Sequence, residues 1–308
     1  MVDPAKFVEE QVREIRAKVT GPAIIACSGG VDSVVASVLV ARAVPQYLTA
    51  VFVDTGFMRK DEPAQVKRLL EQAGVKLDFV DARDRFFEAL KGVTDPEHKR
   101  KTIGALFIRI FEEEAAKSDA KFLVQGTIAP DWIESGGGIR DTIKSHHNVG
   151  GLPKDMKLVL VEPLRDLYKD EVRAVARHLG LPVSERQPFP GPGLAVRILG
   201  ECTPERADIV REACFVVEDE IERAVDEGRM ERPWQYFAAY LPVRSVGVHG
   251  DVRHYGATIV VRIVESLDAM TANAMHLPWD VLDRISTRIT NTLAQHVTRV
   301  VYLSLIHI

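Results

Sequence analysis

Cysteine is scarce in this chain, and its charges nearly cancel. The 308 residues include 3 cysteines and no C-x-x-C pair, which argues against a disulfide framework and against a structural zinc site. The net charge of −4 gives no general attraction to nucleic acid. No apolar run in the sequence is long enough to span a membrane. We therefore predict a globular cytoplasmic protein with neither a nucleic-acid partner nor a membrane anchor.

The first 186 residues show short apolar runs that alternate with amphipathic segments. The apolar runs are too short for buried helices and predict strands at 23–27, 48–53, 76–80, 122–124 and 158–161. Helical spacing predicts an N-terminal helix and further helices at 33–43, 62–73, 96–116 and 170–179, with Asp95 as the N-cap of the longest. This alternation predicts an α/β protein with a doubly wound parallel sheet.

A boundary is predicted after residue 186. Three prolines and two glycines lie between Pro188 and Gly193, and such a segment cannot continue a helix or form a central strand. We predict one domain over 1–186 and a smaller α+β domain over 187–308. For the second domain, the pattern predicts helices at 204–226 and 282–293 and strands at 237–241, 258–264 and 297–303.

A phosphate-binding loop is predicted at residues 28–33, between the first strand and the next helix. The backbone N–H groups at a helix N-terminus attract an anion, and glycine lets the backbone approach it. Ser28 and Ser33 add hydroxyl donors, whereas Asp32 would repel phosphate and has no evident stabilising role unless it holds a magnesium ion. The loop lacks the lysine of a Walker motif. A helix-start turn rich in small residues is the alternative.

Residues 28–33 resemble the pyrophosphatase loop of the ATP pyrophosphatase superfamily, whose members cleave ATP at the α-phosphorus. Further segments resemble the ATP pyrophosphatase subunit of two-subunit GMP synthetases. These are QGTIAPD (125–131), IKSHHNVGGL (143–152), FPGPGLAVR (189–197) and LPVRSVGV (241–248), the last followed by Gly250 and Asp251. The resemblance covers nearly the whole chain and implies an adenine-nucleotide α-hydrolase-like fold with a C-terminal dimerisation domain.

The resemblance also implies roles for individual residues. It assigns catalysis to Asp32, Asp131 and Lys144, and magnesium binding to Asp32. It assigns ATP binding to Ser28, Gly29, Gly30, Val31, Asp32, Ser33, Val34, Val53, Phe107 and Gly126. It assigns binding of xanthosine monophosphate (XMP) to Arg100, Asp251 and Arg253. From the residues alone, Val53 and Phe107 are core positions, Lys144 is equally a solvated lysine, His146 and His147 are solvated loop residues, and 99–101 is a surface charge run.

The implied reaction is the ATP-dependent amination of XMP to GMP, the last step of GMP synthesis. It proceeds through adenylyl-XMP and releases pyrophosphate and AMP, with ATP as substrate and Mg²⁺ as cofactor. We find no Cys-His glutaminase arrangement, so a separate glutamine amidotransferase subunit is expected to supply ammonia. A homodimer is also expected, and the glycine-flanked segment 135–152 is a candidate lid that would exclude water.

Three alternatives share the phosphate loop. A tRNA-thiolating enzyme would need reactive cysteines and a basic face. An NAD synthetase would not contain the segments 189–197 and 241–248, and a nucleotide sensor would have lost Asp32 or Asp131. The resemblance ends after Tyr302, where residues 303–308 replace a family tail whose lysine and glutamate hold XMP. We expect ATP binding to survive this difference and XMP affinity to fall.

Overall fold

The computed structural model describes residues 2–134, 158–249, 252–266 and 273–304. The chain divides into two compact units. Unit 1 comprises Met1–Asp54, Asp61–Ala82 and Ala105–Arg186, and unit 2 comprises Thr55–Lys60, Arg83–Gly104 and Gln187–Ile308. Two segments of the first 186 residues belong to unit 2, and its third segment begins at Gln187.

The described part of unit 1 contains a five-stranded parallel sheet. Its strands are β1 (Ala23–Ala26), β2 (Leu48–Asp54), β3 (Lys76–Asp81), β4 (Phe122–Val124) and β5 (Val159–Val161), in the order β3-β2-β1-β4-β5. The predicted strands and the parallel, doubly wound fold class are confirmed. The order reverses between β1 and β4, and a crevice for a ligand forms at the carboxyl ends of strands at such a reversal.

The described residues form nine α-helices. They are α1 (Pro4–Lys18), α2 (Val31–Ala43), α3 (Glu62–Gln72), α4 (Arg83–Ala89), α5 (Pro96–Ala116), α6 (Ala129–Glu134), α7 (Lys169–His178), α8 (Pro204–Asp226) and α9 (Trp279–Thr292). The predicted helices are confirmed, and the sequence pattern does not reveal α4 and α6 because each spans only one or two turns. Asp95 caps α5 as predicted, because its Oδ1 accepts a hydrogen bond from the His98 N–H at 2.7 Å.

Helix α2 is buried on nearly all sides. Its residues from Val34 to Val40 are shielded from solvent, and it contacts α1 and α7 as well as β1 and β2. A helix that is apolar around its whole circumference is stable only when it is enclosed by other elements. The packing of α2 therefore fixes the position of its N-terminus, where the predicted phosphate loop ends.

The described part of unit 2 contains a mixed four-stranded sheet and helices α8 and α9. Its strands are β6 (Gln235–His249), β7 (Val252–Glu265), β8 (Asn273–Ala274) and β9 (Val297–Tyr302). β6 and β7 form an antiparallel hairpin, and β9 pairs with β7 in parallel. The smaller α+β fold is confirmed. The hairpin extends beyond the predicted strands, because Pro242 and Gly247 interrupt the strand pattern in its exposed outer part.

Segment 55–60 is held within unit 2 through its backbone carbonyl groups. Arg211 of α8 donates to Gly56 O at 2.5 Å and to Met58 O at 3.1 Å, and the Leu194 N–H donates to Phe57 O at 2.8 Å. Gly193 has a φ of +63°, and a Cβ there would lie 2.3 Å from Phe57 O. The proline- and glycine-rich segment thus ends in a contact that requires glycine.

Lys99 corrects one expectation from the sequence. Residues 99–101 were expected to be a surface charge run, but Lys99 is only 1% exposed. Its ammonium group donates to Ala195 O at 3.3 Å and to Ile198 O at 2.6 Å. Lys99 and Ile103 are four residues apart on α5, so they share its buried face, whereas Arg100 and Lys101 face the solvent. Backbone carbonyl groups compensate the buried charge.

We predict that Gly193→Ala lowers the free energy of unfolding by at least about 3 kcal/mol, because it combines a positive φ with a backbone clash. Gly228→Ala is the matched control, since Gly228 has a φ of +67° but open space around its Cβ position. The control should lose only about 1 to 2 kcal/mol. Urea unfolding of both variants measures the difference, and equal losses would contradict the contact with Phe57.

Candidate active site

The predicted phosphate loop and the segment after β4 meet at the reversal in strand order. A Cβ at Gly126 would lie 2.9 Å from the carbonyl carbon of Asp32 and 3.0 Å from the backbone nitrogen of Ser33. The two backbones are therefore in direct contact, and only glycine permits this approach. Two of the sequence-predicted segments, 28–33 and 125–131, are brought together in this way.

The N-terminus of α2 supplies free backbone donors. Gly30 is the N-cap residue, and no side chain caps this helix end. Val31, Asp32 and Ser33 carry the first-turn N–H groups that lack an intrahelical partner, and such groups bind anions. The N–H of Val34 instead donates to Gly30 O at 3.1 Å. Val34 therefore has no free backbone N–H that would support its predicted role in ATP binding. Its side chain is buried and helps to hold the helix in place.

Two hydroxyl groups lie beside these donors. Ser28 Oγ and Ser33 Oγ are 3.3 Å apart, and Ser33 Oγ donates to Gly30 O at 3.1 Å. The Gly30 N–H points to Ser28 Oγ at 3.4 Å. The loop thus holds both serine side chains against its own backbone. This arrangement collects hydroxyl and amide donors around the end of α2.

The two glycines of the loop differ in what the fold requires of them. Gly29 has a φ of +80°, and a Cβ there would lie 2.9 Å from Val66 Cγ2. Gly30 has an ordinary φ of −68°, and the nearest heavy atom to a Cβ there is Ser28 Oγ at 3.4 Å. The described protein therefore requires glycine at 29 but not at 30. Neither the backbone conformation nor a close neighbour in the loop explains why residue 30 is a glycine.

Asp32 is paired with a lysine that the sequence analysis does not identify. Its Oδ2 accepts a hydrogen bond from Lys169 Nζ at 2.6 Å, and its place in the first turn of α2 is also favourable to a negative charge. The expectation that Asp32 has no stabilising role without a cation is therefore wrong. The only sequence signal for Lys169 is its position at the start of a predicted helix, where a cation is unfavourable.

The second oxygen of Asp32 fits a metal ligand. Oδ1 is buried and has no hydrogen-bond partner among the described residues. These residues contain no group of three or more His, Cys, Asp or Glu side chains that could hold a metal alone. Magnesium commonly binds one or two carboxylates together with substrate phosphates, so a single carboxylate with an unused oxygen is compatible with it.

Of the two other predicted catalytic residues, Asp131 lies among the described residues and Lys144 does not. Asp131 Oδ2 accepts a hydrogen bond from the Ile128 N–H at 2.9 Å and lies in the first turn of α6. This bond stabilises the turn between β4 and α6. Lys144 lies outside the described residues, as does the candidate lid 135–152.

The residues predicted to contact adenine lie in unit 1. Val51 O accepts a hydrogen bond from the Cys27 N–H at 2.9 Å, and Asp54 O accepts one from the Ala82 N–H at 3.0 Å. Because backbone groups alternate in direction along a strand, those of Val53 face the β1 side, beyond the last residue of β1. The Val53 side chain is buried, and Phe107 is half-buried on α5.

The described residues predicted to contact XMP both belong to unit 2. Arg253 is exposed on β7, opposite Val248 in the hairpin. Arg100 is exposed and donates to both carboxylate oxygens of Glu97, at 2.8 and 2.7 Å. The hydrogen bond from Arg100 lowers the pKa of Glu97 to about 2. Asp251 lies outside the described residues.

The thiol groups do not resemble those of a reactive cysteine. Cys27, Cys202 and Cys214 are free and buried, and burial raises the pKa of each. A nucleophilic cysteine needs a lowered pKa and access to its substrate. This observation argues against the tRNA-thiolating alternative. In the described part of the chain, no helix is both long and apolar enough to cross a membrane.

A doubly wound sheet with an anion-binding helix end at its strand reversal defines a nucleotide-binding α/β protein. The model of the GMP synthase C-terminal domain matches residues 222–304. A GMP synthase [glutamine-hydrolyzing] subunit from Methanopyrus kandleri is 59% identical, over 98% of this chain and 96% of that protein. The chain belongs to this family of GMP synthase subunits, which confirms the resemblance stated from the motifs.

Other comparisons give the range of similarity. The corresponding GMP synthase subunit of Pyrococcus horikoshii is 60% identical over 98% of this chain and 96% of that protein. Among solved structures, an NMN synthetase from Francisella tularensis is 15% identical, with a TM-score of 0.49 over 68% of this chain and 85% of that chain.

We predict that Gly30→Ala weakens ATP binding while the free energy of unfolding changes by only about 1 kcal/mol, the cost of alanine at an N-cap. Gly29→Ala is the comparison and should lower the free energy of unfolding by about 2 to 4 kcal/mol through positive φ and the contact with Val66. Urea unfolding and calorimetric ATP binding measure the two effects. Unchanged ATP affinity in Gly30→Ala would show that phosphate does not approach this position.

Proposed function

We propose that this chain catalyses the ATP-dependent amination of XMP to GMP. The proposal rests on one observation above others: the uncapped N-terminus of α2, with Asp32 in its first turn, lies at the strand reversal of a chain in a family of GMP synthase subunits. The reaction class is a ligation that forms a carbon–nitrogen bond and uses ATP to activate the oxygen that leaves.

In the proposed complex, the ATP phosphates bind at the N-terminus of α2. The N–H groups of Val31, Asp32 and Ser33 and the hydroxyl of Ser28 donate to phosphate oxygens. The hydroxyl of Ser33 does so after it turns away from Gly30 O. Gly30 leaves room for this approach. The backbone of Val53 recognises the edge of adenine, and Phe107 packs against the ring.

The first step activates XMP. The C2 oxygen of XMP attacks the α-phosphorus of ATP, a new phosphorus–oxygen bond forms, and pyrophosphate leaves, which gives adenylyl-XMP. A magnesium ion bound by Asp32 would neutralise negative charge on the phosphates. The chain's own donors hold the phosphate groups in line, and such fixed donors stabilise developing charge without reorganisation. Lys144 and Asp131 complete the proposed catalytic set.

The second step forms the product. Ammonia attacks C2 of the adenylyl-XMP, AMP departs with the original oxygen, and GMP results. The relatives are named as one subunit of a glutamine-hydrolysing enzyme, and we propose that ammonia reaches this chain from a separate amidotransferase subunit. Arg100, Asp251 and Arg253 are proposed to hold XMP, and unit 2 is proposed to form a homodimer. The cytoplasmic location stays a prediction.

We predict that the purified chain converts XMP, ATP and ammonium to GMP, AMP and pyrophosphate, and that glutamine does not replace ammonium.

Asp32→Asn should abolish pyrophosphate release at saturating Mg²⁺, with a stability loss of only about 1 kcal/mol from the ion pair and the helix end. Glu114→Gln is the matched control, because Glu114 forms a 2.7 Å ion pair with Lys117 away from the loop. Near-normal turnover in Asp32→Asn would contradict the role of Asp32.

A second prediction separates the two substrates. Arg253→Gln should raise the KM for XMP about tenfold to a hundredfold, the effect of losing one charge-assisted contact, and should leave ATP affinity unchanged. Arg244→Gln is the control, since Arg244 is also exposed on the hairpin but donates to Tyr255 O at 3.0 Å. Steady-state kinetics with each substrate varied in turn measures both values. A parallel loss of ATP affinity would show that Arg253 does not act on XMP alone.

A further inference from the structure

The ion pair between Asp32 and Lys169 is not explained by local structure. Lys169 is the first residue of α7, where the positive potential of the helix end opposes a cation. Its side chain is 49% exposed, so it contributes little packing. Its partner Asp32 lies 137 residues away in sequence, within the same unit, with Nζ and Oδ2 2.6 Å apart. The contact with Asp32 is therefore the feature that accounts for a lysine here.

A lysine ammonium and a divalent cation compete for the same carboxylate. Both are attracted by its negative charge, and the ammonium donates to Oδ2 while Oδ1 stays buried without a described partner. A cation that binds Asp32 in the absence of nucleotide must therefore displace Lys169 or share the carboxylate with it. In either case the two positive charges repel each other, which weakens metal binding to the nucleotide-free protein.

We propose that Lys169 is the resident counter-ion of Asp32, which disfavours binding of a divalent cation before ATP and so favours entry of the metal together with the nucleotide. The inference rests on the proposed ATP site and deepens it, because it concerns the order in which the ligands bind. Lys169 acts through Asp32 and is thus a positioning residue.

Removal of the lysine charge should have two opposite effects. Without Lys169 the carboxylate is uncompensated, so it should attract a divalent cation more strongly. The same uncompensated charge should repel the phosphates of metal-free ATP more strongly. A salt bridge that merely stabilises the fold predicts a different pattern, since its loss would loosen the loop and weaken both kinds of binding.

The experiment measures Mn²⁺ binding to the nucleotide-free full chain by electron paramagnetic resonance. Lys169→Met should bind Mn²⁺ at least about threefold more tightly than the wild type, and should bind ATP in EDTA at least about threefold more weakly. Lys169→Arg keeps the charge and should retain the wild-type Mn²⁺ affinity. Lys117→Met, which breaks the comparable pair with Glu114 at 2.7 Å, should leave Mn²⁺ binding unchanged.

Two results would overturn the inference. One is an Mn²⁺ affinity in Lys169→Met that does not exceed the wild-type value. The other is a gain in affinity that persists in the Lys169→Met, Asp32→Asn double variant, because the added Mn²⁺ would then bind elsewhere. Failure of the proposed function is seen separately, as absence of ATP binding to the wild type. The Mn²⁺ comparison contains no nucleotide and still tests the lysine in that case.

Discussion

The candidate site depends on the close approach of two backbones, at Gly126 and at the Asp32–Ser33 peptide. A single added carbon at Gly126 would lie within 3.1 Å of three backbone atoms. This approach places the segment after β4 against the first turn of α2, at the end of the sheet where β1 and β4 are neighbours. Because α2 is enclosed by other elements, it cannot move away from this contact. The sheet order places β1 and β4 side by side. The position of the phosphate loop therefore depends on the mostly apolar packing of α2 and on the neighbouring strands β1 and β4.

In unit 2, α8 and α9 also bury apolar faces, and cationic side chains hold the irregular segments in addition. Lys99 donates to the carbonyl groups of Ala195 and Ile198, and Arg211 donates to those of Gly56 and Met58. Irregular backbone cannot pair its carbonyl groups in a sheet or helix, and unpaired carbonyl groups are costly when buried. Long cationic side chains supply the missing donors. Irregular segments are thereby hydrogen-bonded through their carbonyl groups, as regular elements are.

The sequence predicts those features whose causes are local. Helices α5 and α8 have the predicted bounds because each begins with a capping side chain and a proline, and because apolar spacing runs through their full length. The phosphate loop and its strand are predictable for the same reason. The outer half of the β6–β7 hairpin is not, since Pro242 and Gly247 interrupt the strand pattern there and Val243 and Val246 are exposed. The contacts of Lys99 and Lys169 escape prediction because their partners are about 100 or more residues distant.

The charge of Asp32 is compensated by Lys169, a partner that a ligand can replace. The Asp32–Lys169 pair is partly exposed, with side-chain accessibilities of 26% and 49%. A pair of this kind contributes at most about 1 kcal/mol, so little free energy is lost when a ligand replaces the lysine at Asp32. A fully buried partner would reverse this balance, because an uncompensated buried charge costs several kilocalories per mole. Partial exposure of the pair is thus what allows one carboxylate both to stabilise the loop and to stay available to a ligand.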